Sequence, residues 1–134
     1  MKRPFAYITA PWTGTPHQDS EWAIHYCRQV YDAGYTPICP LLFLTLFLND
    51  KVPQEHKDGL DMSRDFLRRS HVLVVCGDTV TEAMKNDIAT AEWLHITAAS
   101  SQSLRKEVNV WGWPEGGEIL FSWQTICLLL VKAA

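Results

Sequence analysis

Val72-Leu73-Val74-Val75 is the stretch that decides the fold, and Cys76-Gly77-Asp78 follows it directly. The four residues are valine or leucine with no polar interruption, which is typical of a parallel strand that helices cover on both faces. Gly77 and Asp78 supply a turn that ends the strand. The sequence therefore predicts a central strand of a parallel sheet at this position.

Strands and helices alternate along the rest of the chain. Strands are predicted over residues 5–9, 35–39 and 108–111, and Pro37 inside the second indicates an edge position or an early end of that strand. Helices are predicted from Asp19 or Ser20 to Gly34, over residues 55–69, and after a cap at Thr79 or Thr81. Residues 41–48 fit a buried strand or a helix, and residues 119–131 fit a helix or a strand plus a helix. This alternation predicts an α/β fold with a parallel sheet and right-handed crossovers.

Apolar residues recur with helical period on each predicted helix, and they mark the side that is expected to face the core. They are Ala23, Tyr26, Cys27, Val30 and Tyr31 on the first helix, Leu60, Phe66 and Leu67 on the second, and Met84, Ile88, Ala91 and Leu94 on the third. Arg64, Arg68 and Arg69 also fall at helical spacing, and we interpret them as a solvated helix face.

Length and composition limit the classes of protein. The 134 residues are expected to form a single domain over residues 1–134, because the chain is too short for two cores. A hydrophobic fraction of 47% and a charged fraction of 20% are typical of a globular protein, and a net charge of −3 gives no general attraction to nucleic acid. No apolar run approaches the ~20 residues of a membrane span, and no signal peptide is recognisable. We therefore expect a cytoplasmic protein without a membrane or nucleic-acid partner.

Cysteine spacing and glycine-rich motifs exclude several kinds of site. The four cysteines are scattered in apolar contexts, which predicts buried free thiols and no metal site. Neither a G-x-G-x-x-G fingerprint nor a G-x-x-x-x-G-K-[ST] loop is present, so we expect no dinucleotide cofactor and no phosphate transfer from ATP.

Two polar segments follow predicted strands. Ligands of parallel α/β sheets lie beyond the carboxyl ends of the strands, near the point where the strand order reverses. Thr9, Trp12 and Thr13 follow the first strand, while Gly77, Asp78 and Thr81 follow the central one and open a helix. Backbone N–H groups at such a helix start attract anionic oxygen. These two segments are the predicted ligand-facing edge.

Several stretches, in this order and spacing, resemble a known group of proteins. They are Tyr7-Ile8-Thr9-Ala10-Pro11-Trp12, the segments 34–40 and 47–50, Gly59-Leu60-Asp61-Met62, and Ala83-Met84-Lys85-Asn86-Asp87-Ile88. The group consists of small bacterial and phage proteins related to the nucleoside 2-deoxyribosyltransferases, and the resemblance covers about the first two-thirds of the chain. It implies a three-layer flavodoxin-like fold with four to five strands, a nucleoside or nucleotide ligand, and a homo-oligomer, dimer or higher.

The resemblance also implies site residues. Asp87 stands at the position of the transferase Glu that attacks the anomeric carbon, and Ala83 stands where the family pattern has Gly. The transferase carboxylate that helps hold the base falls near Ser70 or His71 and is missing. Apart from the resemblance, cleavage of an N-glycosidic bond needs a carboxylate that attacks or stabilises the anomeric carbon, and Tyr7 is expected to orient Asp87 through its hydroxyl. The ligand-binding residues are expected to be Thr9, Pro11, Trp12, Thr13, Asp61, Gly77, Asp78, Thr81, Glu82 and Met84.

Each assignment has a simpler structural alternative. Tyr7 can be an ordinary sheet residue, and Asp87 can be an exposed carboxylate that balances Lys85 or Lys132. Thr81 and Glu82 suit the first turn of a helix on electrostatic grounds alone. Trp111 and Trp113 fit a pocket or a subunit interface, and we favour the interface. Three hypotheses follow: an enzyme acting on N-glycosidic bonds, a non-catalytic module that sequesters a nucleotide signal, and an interaction protein with a vestigial pocket.

Overall fold

The computed structural model describes residues 3–103, and four parallel strands alternate with helices over that range. In chain order the elements are β1 (Phe5–Thr9), α1 (Pro16–Asp32), β2 (Thr36–Ile38), α2 (Leu41–Leu44), α3 (Pro53–Arg68), β3 (Val72–Val75), α4 (Glu82–Trp93) and β4 (Thr97–Ser100).

The strands form one parallel sheet in the order β2-β1-β3-β4. Thr9 at the end of β1 lies beside Val75 at the end of β3, and Val75 lies beside Ser100 at the end of β4. The chain first moves from β1 outward to β2 and then returns past β1 to β3, so the strand order reverses between β1 and β3. With helices on both faces of the sheet, the protein has the expected three-layer flavodoxin-like α/β fold.

Side chains of β1 alternate between two cores. Ala6 and Ile8 pack with Val30 of α1 on one face of the sheet. Tyr7 points to the opposite face, where it packs with Leu67 of α3 and Met84 of α4, among others. Because side chains along a strand alternate with a period of two, Thr9 lies on the same face as Tyr7. This alternation directs two polar groups of β1 toward α3 and α4.

The strongest strand predictions are confirmed. β1 and β3 have the predicted bounds, and β3 is buried along its whole length. β2 is shorter than predicted, and it occupies the predicted edge position because it pairs with β1 alone among the described strands. Pro37 has no N–H to donate to a second neighbour, so an edge is where it fits. The ambiguous segment 41–48 begins with the short helix α2.

The predicted start of α1 is wrong. The helix begins at Pro16 after Thr15, so Asp19 and Ser20 lie within its first turns rather than at a cap. Proline suits the first helical position because its missing N–H would have no partner within the helix. The Asp19 carboxylate is used instead by the loop that precedes the helix, as described below.

Three of the predicted inward residues are also exposed. On α3, Leu60 is 46% exposed and Phe66 is 37% exposed. Of the three residues predicted to face inward on this helix, Leu67 is the buried one. Phe66 packs edge-on against Phe43 of α2, with ring centroids 5.6 Å apart. Tyr31 is exposed on α1, where the guanidinium groups of Arg3 and Arg28 lie over its ring.

β4 was missed by the sequence pattern. The strand runs from Thr97 to Ser100, and three of its four residues, Ala98, Ala99 and Ser100, have small side chains with little strand preference that are buried beside β3. The predicted strand over 108–111, the apolar segment over 119–131, and Trp111, Trp113 and Cys127 lie outside the described residues. Across residues 3–103, no helix combines the length and the apolar character that a membrane crossing requires.

Candidate functional site

The loops after β1 and β3 leave the sheet on opposite faces, which opens a crevice where the strand order reverses. Residues 10–15 lead from β1 to α1, and residues 76–81 lead from β3 to α4. Both segments that the sequence marked as ligand-facing therefore lie at this edge of the sheet. Two separate arrangements of side chains lie at this edge, one around Asp87 and one around Asp19.

The first arrangement centres on Asp87 of α4. The buried Thr9 hydroxyl donates a hydrogen bond to Asp87 Oδ2 over 2.8 Å, which ties the end of β1 to the middle of α4. Burial raises the pKa of Asp87 from 3.8 to about 6, although the Thr9 hydrogen bond and the positive charge of Arg64 act in the opposite direction. A carboxylate with this pKa is ionised at neutral pH and still basic enough to act on a substrate.

Tyr7 lies next to this carboxylate in the same core. Its pKa is raised by burial first and then by the negative charge of Asp87, while the hydroxyl of Ser63 moderates the rise. The hydrogen bond that orients Asp87 comes from Thr9, whereas the sequence assigned that role to Tyr7. Tyr7 is a neutral phenol at physiological pH and is placed as a donor beside the site.

Ser63 and Arg64 of α3 are site residues that sequence reasoning missed. Arg68 and Arg69 do lie on a solvated face, where both pair with Asp65 at 3.4 and 3.1 Å. Arg64 is exposed as well, and its positive charge also acts on Asp87. Arg64 lies three residues before the buried Leu67, so the two side chains are neighbours on the helix surface, and that spacing is the signal that could have linked Arg64 to the core.

The second arrangement orders the loop between β1 and α1. The carboxylate of Asp19, which is 4% exposed, accepts hydrogen bonds at Oδ2 from the backbone N–H groups of Thr13, Gly14 and Thr15 over 2.9–3.1 Å. Its Oδ1 accepts from the Thr13 hydroxyl over 2.8 Å. Hydrogen bonds to an ionised acceptor are among the strong ones, so this carboxylate fixes the shape of the loop.

Gly77 brings the two loops together. Its φ of +92° lies in the left-handed region, and a Cβ atom there would come within 2.7 Å of Pro11 Cδ and 3.4 Å of the Tyr26 hydroxyl. A side chain therefore has no space at this position. Glycine allows the turn after β3 to press against the loop after β1.

A cavity of about 560 Å³ opens above this contact, on the α1 side of the sheet. It contains four of the residues predicted to bind ligand, namely Pro11, Thr13, Gly77 and Asp78. Side chains of α1 that the sequence did not single out form much of the rest, among them Trp22 and His25. Trp12 is half-buried and is not among the lining residues.

Other predicted ligand residues have structural roles. Thr81 caps α4 by accepting from the Met84 N–H over 3.3 Å, and the Met84 side chain is buried in the core. Glu82 is exposed and pairs with Lys85 over 3.2 Å. Asp61 is exposed on α3. Asp87 is half-buried and accepts from Thr9, and Lys85 pairs with Glu82. The structure therefore does not show Asp87 as an exposed partner of Lys85, while Lys132 lies outside the described residues.

Comparison with known proteins adds a family but no activity. None of the curated proteins matches the chain. The sequence model of one family, described as a domain of unknown function (DUF7768), matches residues 4–100. That range runs from just before β1 to the end of β4, so it includes Thr9, Asp19, Gly77 and Asp87. The chain therefore belongs to the DUF7768 family.

Proposed function

We propose that this protein binds a nucleoside or nucleotide at the carboxyl ends of β1 and β3, on the side of the sheet that α3 and α4 cover, and acts on its N-glycosidic bond through Asp87. The observation that carries the proposal is the hydrogen bond from Thr9 to Asp87 Oδ2. It holds a half-buried carboxylate at the reversal of strand order, which is where ligands of this fold class bind.

The carboxylate suits attack on an anomeric carbon. Thr9 engages Oδ2, and among the described residues no hydrogen bond reaches Oδ1, so Oδ1 is the oxygen that we assign to the substrate. Glycosidic bond cleavage passes through an oxocarbenium-like state that a nearby carboxylate stabilises or traps. The raised pKa of about 6 makes Asp87 more basic than an ordinary aspartate while leaving it ionised at neutral pH.

The proposed reaction has two steps. Oδ1 of Asp87 forms a bond to the anomeric carbon while the bond from that carbon to the base nitrogen breaks, and the base leaves with the electron pair and takes a proton from solvent. Water or a second base then attacks the same carbon and gives up a proton to solvent, while the ester bond to Asp87 breaks and its electron pair restores the carboxylate. Hydrolysis releases a free sugar, and transfer gives a new nucleoside.

The resemblance to the nucleoside 2-deoxyribosyltransferases supports the same residue, because Asp87 stands at the position of their nucleophile. A second candidate function is binding without turnover, and it is favoured by the aspartate itself. Aspartate is one methylene shorter than the glutamate of the transferases, and a displacement of ~1 Å can lower a rate on the order of a hundredfold. Self-association, which the resemblance also implies, stays a prediction.

The test is product analysis with a matched pair of variants. The full chain is incubated with a panel of nucleosides and nucleotides, and the mixture is analysed by mass spectrometry. We expect free base to be released, and we expect Asp87→Asn to abolish release while Glu92→Gln, an exposed carboxylate on the same helix, has no effect. The rate should rise with pH through about 6, as Asp87 ionises.

The alternative outcomes are equally specific. Ligand that co-elutes intact with the wild-type protein would favour the binding function. Base release that continues in the Asp87→Asn variant would exclude this residue as the nucleophile.

A further inference from the structure

The cavity on the α1 side is distinct from the surroundings of Asp87. Tyr7 and Thr9, which contact or influence Asp87, point toward α3 and α4, whereas α1 packs on the opposite face with Ala6 and Ile8. The proposed reaction therefore leaves this cavity without a role. Its volume of about 560 Å³ falls within the roughly 300–1,000 Å³ that is typical of small-molecule sites.

An ordered aromatic pair on α1 forms one wall of the cavity. The Trp22 ring stacks on the Tyr26 ring with centroids 6.0 Å apart and an interplanar angle of 26°, and the His25 ring meets Trp22 edge-on. Trp22 is nevertheless 53% exposed. A large ring that its neighbours hold in place and that still presents surface to a concave site is a stacking platform for a planar ligand.

Carboxamides surround this platform. Gln18 and Gln29 come from α1, and Gln102 comes from the segment that follows β4. Gln18 and Gln102 each offer both donors and an acceptor, while Gln29 Nε2 already pairs with His25 Nε2 over 3.2 Å and leaves the Gln29 oxygen as an acceptor. The set can therefore pair with the ring nitrogens and the exocyclic groups of a heterocycle. The distribution around the cavity allows contacts at more than one edge of the same ring.

The charges in the lining decide which ligands fit. Asp78 is an exposed carboxylate, and its negative charge reaches Tyr26, whose pKa it helps to raise after burial and Cys76. The second carboxylate, Asp19, is engaged by the loop N–H groups. No lysine or arginine is among the described residues that line the cavity, and the one histidine there, His25, pairs through Nε2 with the Gln29 carboxamide. A phosphate or carboxylate of a ligand would find no fixed positive charge there and would be repelled by Asp78.

We infer that this cavity binds a planar heteroaromatic ring that is uncharged or cationic, at a site separate from Asp87. Aromatic faces together with a carboxylate attract a cationic ring, and the carboxamides provide the directional hydrogen bonds. The inference rests on the lining of the cavity alone, so it does not depend on the proposed function.

Three probes with one ring shape test it: pyridine-3-carboxamide, its N-methylated cation and pyridine-3-carboxylate. They are titrated into the full chain and followed by two-dimensional NMR. We expect the neutral and cationic probes to shift the side-chain amide signals of Gln18, Gln29 and Gln102, and the anion to bind about tenfold more weakly or not at all. Trp22→Ala should weaken binding by about tenfold, the effect of removing one stacked ring.

Two variants serve as controls. Trp93 is 80% exposed on α4, so Trp93→Ala removes a surface tryptophan away from the cavity and should not change binding. Asp87→Asn should not change probe binding either. Probe binding that persists in this variant would show that the cavity works independently of the proposed reaction. Melting curves of each variant confirm folding, and Gln29→Ala provides a second cavity variant.

The inference is overturned by any of three results: no probe binds, the anion binds as well as the neutral ring, or Trp22→Ala and Trp93→Ala behave alike. Loss of probe binding in Asp87→Asn would overturn the separation of the two sites.

Discussion

Thr9 and Asp87 are joined by a hydrogen bond of 2.8 Å across 78 positions of sequence. The bond connects the last residue of β1 to the middle of α4, and it partly compensates the burial of a carboxylate whose pKa is nevertheless raised to about 6. Proteins keep a raised carboxyl pKa at a cost in stability, and such groups concentrate at functional sites. The relationship leads to measurable effects on stability as well as on activity.

Asp87→Asn should stabilise the protein at neutral pH. The folded state holds the Asp87 proton up to about pH 6 and the unfolded state loses it near 3.8, so wild-type stability falls as pH rises between these values. Asparagine cannot ionise and still accepts from Thr9. In urea unfolding, the free energy of unfolding of the variant should equal that of the wild type near pH 3.8. Above pH 6 it should exceed the wild-type value by about 3 kcal/mol. An advantage that does not change with pH would contradict the assignment.

Thr9→Val should raise the pKa of Asp87 further. Valine has nearly the shape of threonine but cannot donate, and the Thr9 hydrogen bond is one of the interactions that lower this pKa. Carbon-detected NMR titration of the Asp87 carboxyl should place its midpoint above about 6. Thr90→Val is the control, because the Thr90 hydroxyl donates to the Asn86 carbonyl on the same helix. An unchanged midpoint in Thr9→Val would mean that the bond does not persist in solution.

Gly77→Ala should be strongly destabilising, and Gly14→Ala should be mildly so. Both glycines have positive φ, but a Cβ at Gly14 meets nothing within 4 Å, whereas one at Gly77 meets Pro11 at 2.7 Å. We expect losses of about 1 kcal/mol for Gly14→Ala and about 2–4 kcal/mol for Gly77→Ala in denaturant unfolding. Adding Pro11→Ala to Gly77→Ala should recover part of the loss. If it recovers none, the close approach of the loops is not the cause.

Asp19→Asn should loosen the loop after β1. The carboxylate accepts hydrogen bonds from three backbone N–H groups and the Thr13 hydroxyl. The NH₂ group of asparagine is a donor, so it cannot accept the bonds made to the oxygen that it replaces. The expected loss of unfolding free energy is about 1–3 kcal/mol. Asp32→Asn on the same helix breaks only an exposed pair with Arg28 and should cost less than about 1 kcal/mol. Similar losses in the two variants would contradict the role of Asp19.

Cys27 should be the most reactive of the three described thiols. The neighbouring Cys39 thiol lowers the pKa of Cys27, whereas the same contact and burial raise the pKa of Cys39, and burial raises that of Cys76. Because the thiolate is the nucleophile, N-ethylmaleimide should label Cys27 first at neutral pH, as peptide mapping by mass spectrometry can show. In denaturant the three rates should converge. Faster labelling of Cys39 than of Cys27 in the folded protein would reverse the assignment.

Local pattern was enough to predict much of the fold. Neighbouring residues alone indicate the apolar run of β3 and the edge position of β2, which contains Pro37. They also indicate the helical spacing of Met84 and Ile88 on α4. β4 escaped prediction because alanine and serine carry little strand preference of their own, and pairing with β3 supplies it.

By itself, the sequence determined that a parallel α/β sheet would form and that polar segments would follow its first and central strands. Hydrophobic periodicity and turn chemistry are properties of adjacent residues, so they can be identified along the chain. Only the tertiary structure decided that Thr9 rather than Tyr7 orients Asp87, and that Asp19 holds a loop instead of capping a helix. It also decided that Trp22 lines a cavity. These relationships depend on how distant elements are placed against one another, because hydrogen bonds and burial act over a few ångströms regardless of separation in sequence.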